Sequence, residues 1–186
     1  MKGQAVKDKI LDVASDLFYK QGYNLTGINQ IIDESDIARA SLYHHFKSKT
    51  DLLVENLRRA DENYFLQLEK FLASFTDPKE KLLAMVDFRI ALQKKLGFGG
   101  CRFMKSSLEI SKEEEKKVLS ITHANKEKLK KVIRGLVSQV NQKQILSDDL
   151  LTETIFLLLE GASLYGAVTK SSLSLKKSKK IIESLI

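Results

Sequence analysis

The stretch TGINQIIDESDIARASLYHHFKSKTDL, residues 26–52, sets the reading of the whole chain. Its apolar positions form a thin skeleton of Ile28, Ile31, Ile32, Ile37, Leu42 and Phe46. The spacing is helical on both sides of an interruption, Glu34–Ser35–Asp36. Two short helices joined by a tight turn make a helix-turn-helix unit. With Ile37, Leu42 and Phe46 turned inward, the second helix leaves Arg39, Ala40, Ser41, Tyr43 and His44 outward. A helix of that kind fits a groove roughly 12 Å wide, and the small residues near its start allow close backbone approach. Thr26, read as the cap of the first short helix, offers a hydroxyl and free N–H groups to a phosphate. Lys49 offers a point charge to the same kind of backbone.

On the N-terminal side, Val6, Ile10, Val13 or Ala14, Leu17 and Phe18 recur at helical spacing and Gly22 stops the run. On the C-terminal side, Thr50 or Asp51 is expected to cap a long helix carrying Leu53, Leu57, Ala60, Tyr64, Leu68, Phe71 and Phe75. Asp77 and Pro78 begin another, with Leu82, Met85, Val86, Arg89 and Gln93 on one stripe. GFGG at 97–100 is a loop, followed by a short apolar segment at 101–110. A long charged helix is expected from Ser111 to about 142, with Val118, Ile121, Asn125, Leu129, Val132, Leu136 and Val140 inward. Ser147 caps a helix reaching about Val168, and a last one covers about 174–186. The single proline and the absence of any strand pattern make the fold all-α.

Composition narrows the function without naming it. The 186 residues are 43% apolar and 30% charged, with a net charge of +7. The excess is not in the helix-turn-helix region: residues 1–59 hold nine Lys/Arg and eight Asp/Glu. Local placement is more telling, because residues 37–50 hold Arg39, Lys47 and Lys49 and no acid. Cys101 is the only cysteine, so no intrachain disulfide is possible, and a reducing compartment is expected. A lone cysteine beside apolar residues reads as packing rather than as a redox switch. The N-terminus has no apolar signal core. The most apolar run, residues 155–168, is short for a bilayer and contains Glu160. The chain is therefore read as cytoplasmic, with no membrane partner. Adjacent His44 and His45 point about 100° apart on a helix, and nothing else has metal-ligand spacing. No catalytic constellation is legible. The reading is no enzyme, no metal and no cofactor.

The segment GYNLTGINQIIDESDIARASLYHHFKSKTDLL, residues 22–53, resembles the DNA-binding signature of the tetracycline-repressor (TetR) family of bacterial transcriptional regulators. The resemblance is carried by the aromatic turn after the first helix, Thr26, Ile32, Ile37, Ser41, LYHHF at 42–46, KSK at 47–49 and Leu52–Leu53. GFGGCRFMKSSLEIS, residues 97–111, is similar to a segment of one branch of the family. One departure is Ser35–Asp36–Ile37, where the family has an Ala-Gly-Val-like turn; Asp36 must then adopt the left-handed conformation. The resemblance implies a DNA-binding domain over residues 1–48 and a helical ligand-binding and dimerisation domain over 49–186. It implies a homodimer on a double-stranded DNA operator, and a repressor that releases a palindromic operator when a small-molecule effector binds.

Two further expectations come from the C-terminal residues themselves. Residues 148–168 are apolar nearly all round and the last helix ends on bare apolar side chains, so 148–186 is expected to form the homodimer contact. Polar residues on apolar stripes mark a ligand site: Arg89, Asn125 and Glu160, with walls from Phe65, Phe88, Phe103, Met104 and Phe156. Two other readings compete. One is a helical small-molecule-binding protein or enzyme that only borrows the N-terminal unit. The other is a nucleoid-type protein that binds DNA through salt-driven contacts without a specificity gap.

Overall fold

The computed structural model describes residues 2–112, 115–140 and 146–186. Among the described residues there are nine helices and no strand. They are α1 (Lys2–Lys20), α2 (Ile28–Ser35), α3 (Arg39–His45), α4 (Lys49–Leu72), α5 (Pro78–Lys95), α6 (Arg102–Glu109), α7 (Glu115–Val137), α8 (Asp148–Thr169) and α9 (Leu173–Leu185). The chain divides into two compact units: Met1–Glu62 with Arg102–His123, and Asn63–Cys101 with Ala124–Ile186.

In the first unit, α1, α2 and α3 pack on one another around Ile10, Ala14, Ile31 and Leu42, all fully buried. The first part of α4 adds Leu52, Leu53 and Leu57 to the same interior. Asp36 ends α2 in the left-handed region, at φ 47° and ψ 58°, as the turn requires. Two caps differ from the sequence expectation. Gly27, not Thr26, is the N-cap of α2, because the Thr26 hydroxyl turns back to donate to the Gly22 carbonyl at 2.6 Å. At α4 the Ser48 hydroxyl accepts the Asp51 N–H at 3.0 Å. Thr50 is not the cap, because its hydroxyl pairs with that of Tyr23 at 2.9 Å.

The second unit is built on Leu82, Met85 and Val86 of α5, Leu129, Ile133 and Val137 of α7, and Leu151, Ile155 and Leu159 of α8. Leu175 and Ile182 of α9 complete it. Asp77 caps α5 by accepting the Glu80 N–H, with Pro78 in the first turn. Ser147 caps α8 in the same way through Leu150. The buried stripe of α7 runs Val118, Thr122, Asn125, Leu129, Ile133 and Val137. Ile121, Val132 and Leu136, expected inward, sit half-buried on its flank, since a wide apolar arc on a long helix leaves several positions near its edge. This helix is shorter than the expected 111–142: it ends at Val137, residues 111–112 and 138–140 are not helical, and the expectation for 113–114 and 141–142 lies outside the described residues. The segment at 101–110 is the helix α6.

By length and composition α8 could cross a membrane, its 22 residues exceeding the apolar run read from sequence. However, its inner face is the core just described, and Glu160 within it is ion-paired.

Candidate nucleic-acid interface and buried ionic cluster

The region around α3 is assembled from short-range rules. Leu42 is fully buried and Phe46 nearly so, which fixes the rotation of α3. Arg39, Ala40, Tyr43 and His44 are left exposed, Tyr43 at 45%, and Ser41 is half-buried. His45 is half-buried with its ring edge-on to that of His44 at 5.1 Å. One Arg39 guanidinium nitrogen donates to Asn29 Oδ1 at 2.6 Å, so α2 orients the first side chain of α3.

Thr26 and Lys49 are used differently from the sequence expectation. Thr26 is fully buried and its hydroxyl is spent inside the turn. The Lys49 ammonium donates to the carbonyls of Tyr23 and Thr26, at 2.9 and 3.0 Å, and lies 4.2 Å above the Tyr23 ring. Both residues hold the α1–α2 turn to the start of α4. Sequence reasoning missed this because a lysine after a helix-turn-helix unit has the same signature whether it meets a phosphate or a carbonyl.

Gly27 is also informative. Its φ is −79°, ordinary for any residue, and a Cβ there would meet nothing within 4 Å. Neither backbone strain nor packing within the chain explains a glycine. The first-turn amides of α2 also carry no side-chain cap. A bare helix start with no side chain beside it suits close approach of an anionic backbone.

The base of the module is braced by charge. Asp51 accepts from Lys117 at 3.0 Å, and that hydrogen bond holds its carboxyl below the ordinary value despite some burial. Glu55 accepts from Lys7 at 2.6 Å with the same result. From α6, Lys105 donates to the Tyr19 carbonyl and Arg102 to the Ser15 hydroxyl. Glu109 accepts the Asn24 N–H at 3.1 Å. Gly22, at φ 95°, leaves room for that carboxylate: a Cβ would lie 2.8 Å from both its oxygens.

The family pattern described as bacterial regulatory proteins, tetR family, matches residues 10–55, which is the module just built. That segment carries the TetR-family pattern. Among curated relatives, it is 42% identical over 65 residues to the transcriptional regulator QacR of Staphylococcus aureus, covering 35% of each chain. It is 38% identical over 81 residues to the regulator LmrA of Bacillus subtilis, covering 43% of each. The matches therefore span well under half the length of these relatives. The relatives are named as regulators of transcription, not as enzymes. Over the full length only the fold is shared. A TetR-family regulator from Streptomyces coelicolor superposes with TM-score 0.84 at 23% identity, covering 97% of this chain and 93% of that one. A TetR regulator from Chloroflexus aurantiacus gives 0.85 at 21%, covering 98% and 94%.

In the second unit, the polar residues on apolar stripes meet. Arg89, 7% exposed, donates to the Tyr64 hydroxyl at 3.1 Å and to Glu160 at 3.3 Å. The other Glu160 oxygen accepts from Lys126 at 2.7 Å, and Lys126 also reaches the Cys101 sulfur at 3.2 Å. Burial works to lower the Arg89 pKa, but the Tyr64 and Glu160 oxygens outweigh it and hold it above its ordinary value. Burial likewise works to raise that of Glu160, and Arg89 and Lys126 outweigh it, so the carboxylate stays ionised below its ordinary range. Gln93 donates to the Ser163 carbonyl at 3.0 Å. Arg89 Nε, Gln93 Oε1 and Ser163 Oγ are buried without a hydrogen-bond partner.

Of the residues expected to bind a ligand, Arg89 and Glu160 are brought into direct contact. Phe65 and Phe88 pack edge-on against Tyr64, at 5.1 and 5.5 Å. Phe156 packs on the core beneath Lys130, and Asn125 is buried on α7. Phe103 and Met104 lie on α6 in the first unit, Phe103 buried and Met104 exposed. Tyr64 and Lys126 were not anticipated. Tyr64 reads as one more core aromatic, and Lys126 stands in a lysine-rich helix where nothing singles it out.

Proposed function

We propose that this protein is a dimeric, ligand-responsive repressor that binds a palindromic DNA operator in the cytoplasm. The observation that carries the reading is the pairing of a buried Leu42–Phe46 anchor with an exposed Arg39, Ala40, Tyr43 and His44 face, in a segment matching the family pattern. Residues 1–48 are assigned to DNA and residues 49–186 to effector binding and dimerisation. Arg39, Ala40, Ser41, Tyr43 and His44 read the groove. The amides at Gly27 receive a phosphate, and Thr26 and Lys49 set the turn that presents them.

The dimer contact is assigned to 148–186. Leu150, Leu157, Leu164 and Val168 recur along one line of α8 and are exposed, Val168 at 74%, as is Ile181 of α9. A Cβ at Gly161, on the same helix, would meet nothing within 4 Å. An apolar face of that extent marks an association surface. The effector is assigned to the ionic cluster, where Arg89 Nε, Gln93 Oε1 and Ser163 Oγ would gain partners. An effector that binds one dimer geometry better than the other shifts operator affinity by that difference.

The test is selection of bound fragments from genomic DNA by the purified protein at near-physiological salt. One enriched palindrome, lost in a Tyr43→Ala, Arg39→Ala variant that still folds, is the expected result. Uniform, salt-sensitive recovery of all fragments would instead establish the nucleoid-type reading.

A further inference from the structure

The second unit carries a groove that the ionic cluster does not use. It encloses about 570 Å³ between the end of α4, the start of α5 and the outer flank of α7, within the range of roughly 300–1,000 Å³ typical of small-molecule sites. Its floor is apolar, formed by Phe65, Leu68 and Leu72, and one wall is Val132 and Leu136. Its rim is basic, with Lys81, Lys128 and Lys131 against a single acid, Glu69. The Lys128 ammonium stands 4.1 Å above the Phe65 ring, over the floor.

Gly135 adds an independent observation. It lies in the last turn of α7, it lines the groove, and a Cβ there would meet nothing within 4 Å. Neither packing nor a positive φ requires glycine at this position, and its lack of a side chain leaves that stretch of the groove open.

We propose that this groove binds a single-chain anionic amphiphile, an alkyl chain ending in a carboxylate or similar anion. The chain lies on Phe65, Leu68 and Leu72, passes beside Gly135, and places its anionic head among Lys81, Lys128 and Lys131. The excess of rim lysines over Glu69 selects the sign of the head group, and the apolar floor selects a hydrocarbon tail over a small inorganic anion. The groove adjoins the Arg89–Glu160 cluster only where Phe65 packs on Tyr64, shares none of its ion-paired residues, and does not depend on the effector assignment made there.

The probe is sodium dodecanoate below its micellar concentration, titrated calorimetrically into the full chain. Dodecyltrimethylammonium serves as the control of opposite charge. One saturable site for dodecanoate and none for the cation is expected. A Lys128→Ala, Lys131→Ala variant should bind dodecanoate about tenfold more weakly, two surface charge contacts being lost. Gly135→Leu should abolish binding while leaving the thermal midpoint unchanged or raised, since leucine favours the helix and meets open space. Equal binding of the cation, unchanged binding by Gly135→Leu, or non-saturable uptake of many dodecanoate molecules would each overturn the proposal.

Discussion

Gly27 and Lys49 separate residues proposed to touch DNA from residues that shape what touches it. Aspartate is among the best N-cap residues and glycine only slightly worse, so Gly27→Asp should leave stability unchanged or raise it by about 0.3 kcal/mol. The same change places a carboxylate where a phosphate is proposed to sit. Operator affinity should therefore fall while the thermal midpoint does not, which gel shift and calorimetry on one variant would establish. Lys49→Ala makes the converse case. Its ammonium is bound to two carbonyls of the turn, so its loss should lower affinity without changing the slope of log affinity against log salt. A phosphate contact would instead reduce that slope by about 1.

Helix α8 serves two surfaces, and both faces can be tested. Its inner face holds Glu160 between Arg89 and Lys126. Removing one member of a buried ionic set costs about 3–5 kcal/mol, because the partners stay buried without it, and Glu160→Gln should destabilise the second unit on that scale in chemical denaturation. The pH dependence has a definite sign. The native carboxyl titrates below the ordinary value of 4.5. Its contribution is therefore complete above that pH and is lost as pH falls below it, so the gap in stability between wild type and Glu160→Gln should close on acidification. The outer face is apolar and exposed, with Leu157 at 62%. Leu157→Asp with Leu164→Asp should yield folded monomers in sedimentation, because neither side chain supports the unit's own core. A dimer that persists would remove 148–186 from the interface.

Across the molecule, the charge of +7 falls in the second unit, the first holding 14 Lys/Arg against 14 Asp/Glu, and the proposed groove-facing helix contributes a single cation, Arg39. The proposed specific binding must then come from local contacts doubled by the proposed dimer. If the dimer makes 6–10 phosphate contacts, affinity should fall by about 10³–10⁵ between 50 and 200 mM salt. The ratio of specific to non-specific binding should survive that loss. A ratio near one at every salt concentration would return the protein to the nucleoid-type reading.

Most helices, though not α6, the turn at Asp36 and the family pattern over 10–55 were legible in the sequence because each rests on short-range rules. Apolar spacing sets which face is buried, Pro78 and the caps at Asp77 and Ser147 set helix starts, and the motif at 22–53 is contiguous. Residue pairs distant in the chain were not legible. Arg89, Lys126 and Glu160 each stood on its own helix, and only packing of α5, α7 and α8 brought them within ion-pair distance. Lys49 could be assigned to the turn carbonyls only once α4 was seen against α1 and α2. A one-dimensional pattern records what each residue prefers, whereas a lysine's partner depends on which groups the fold places within reach of its flexible side chain.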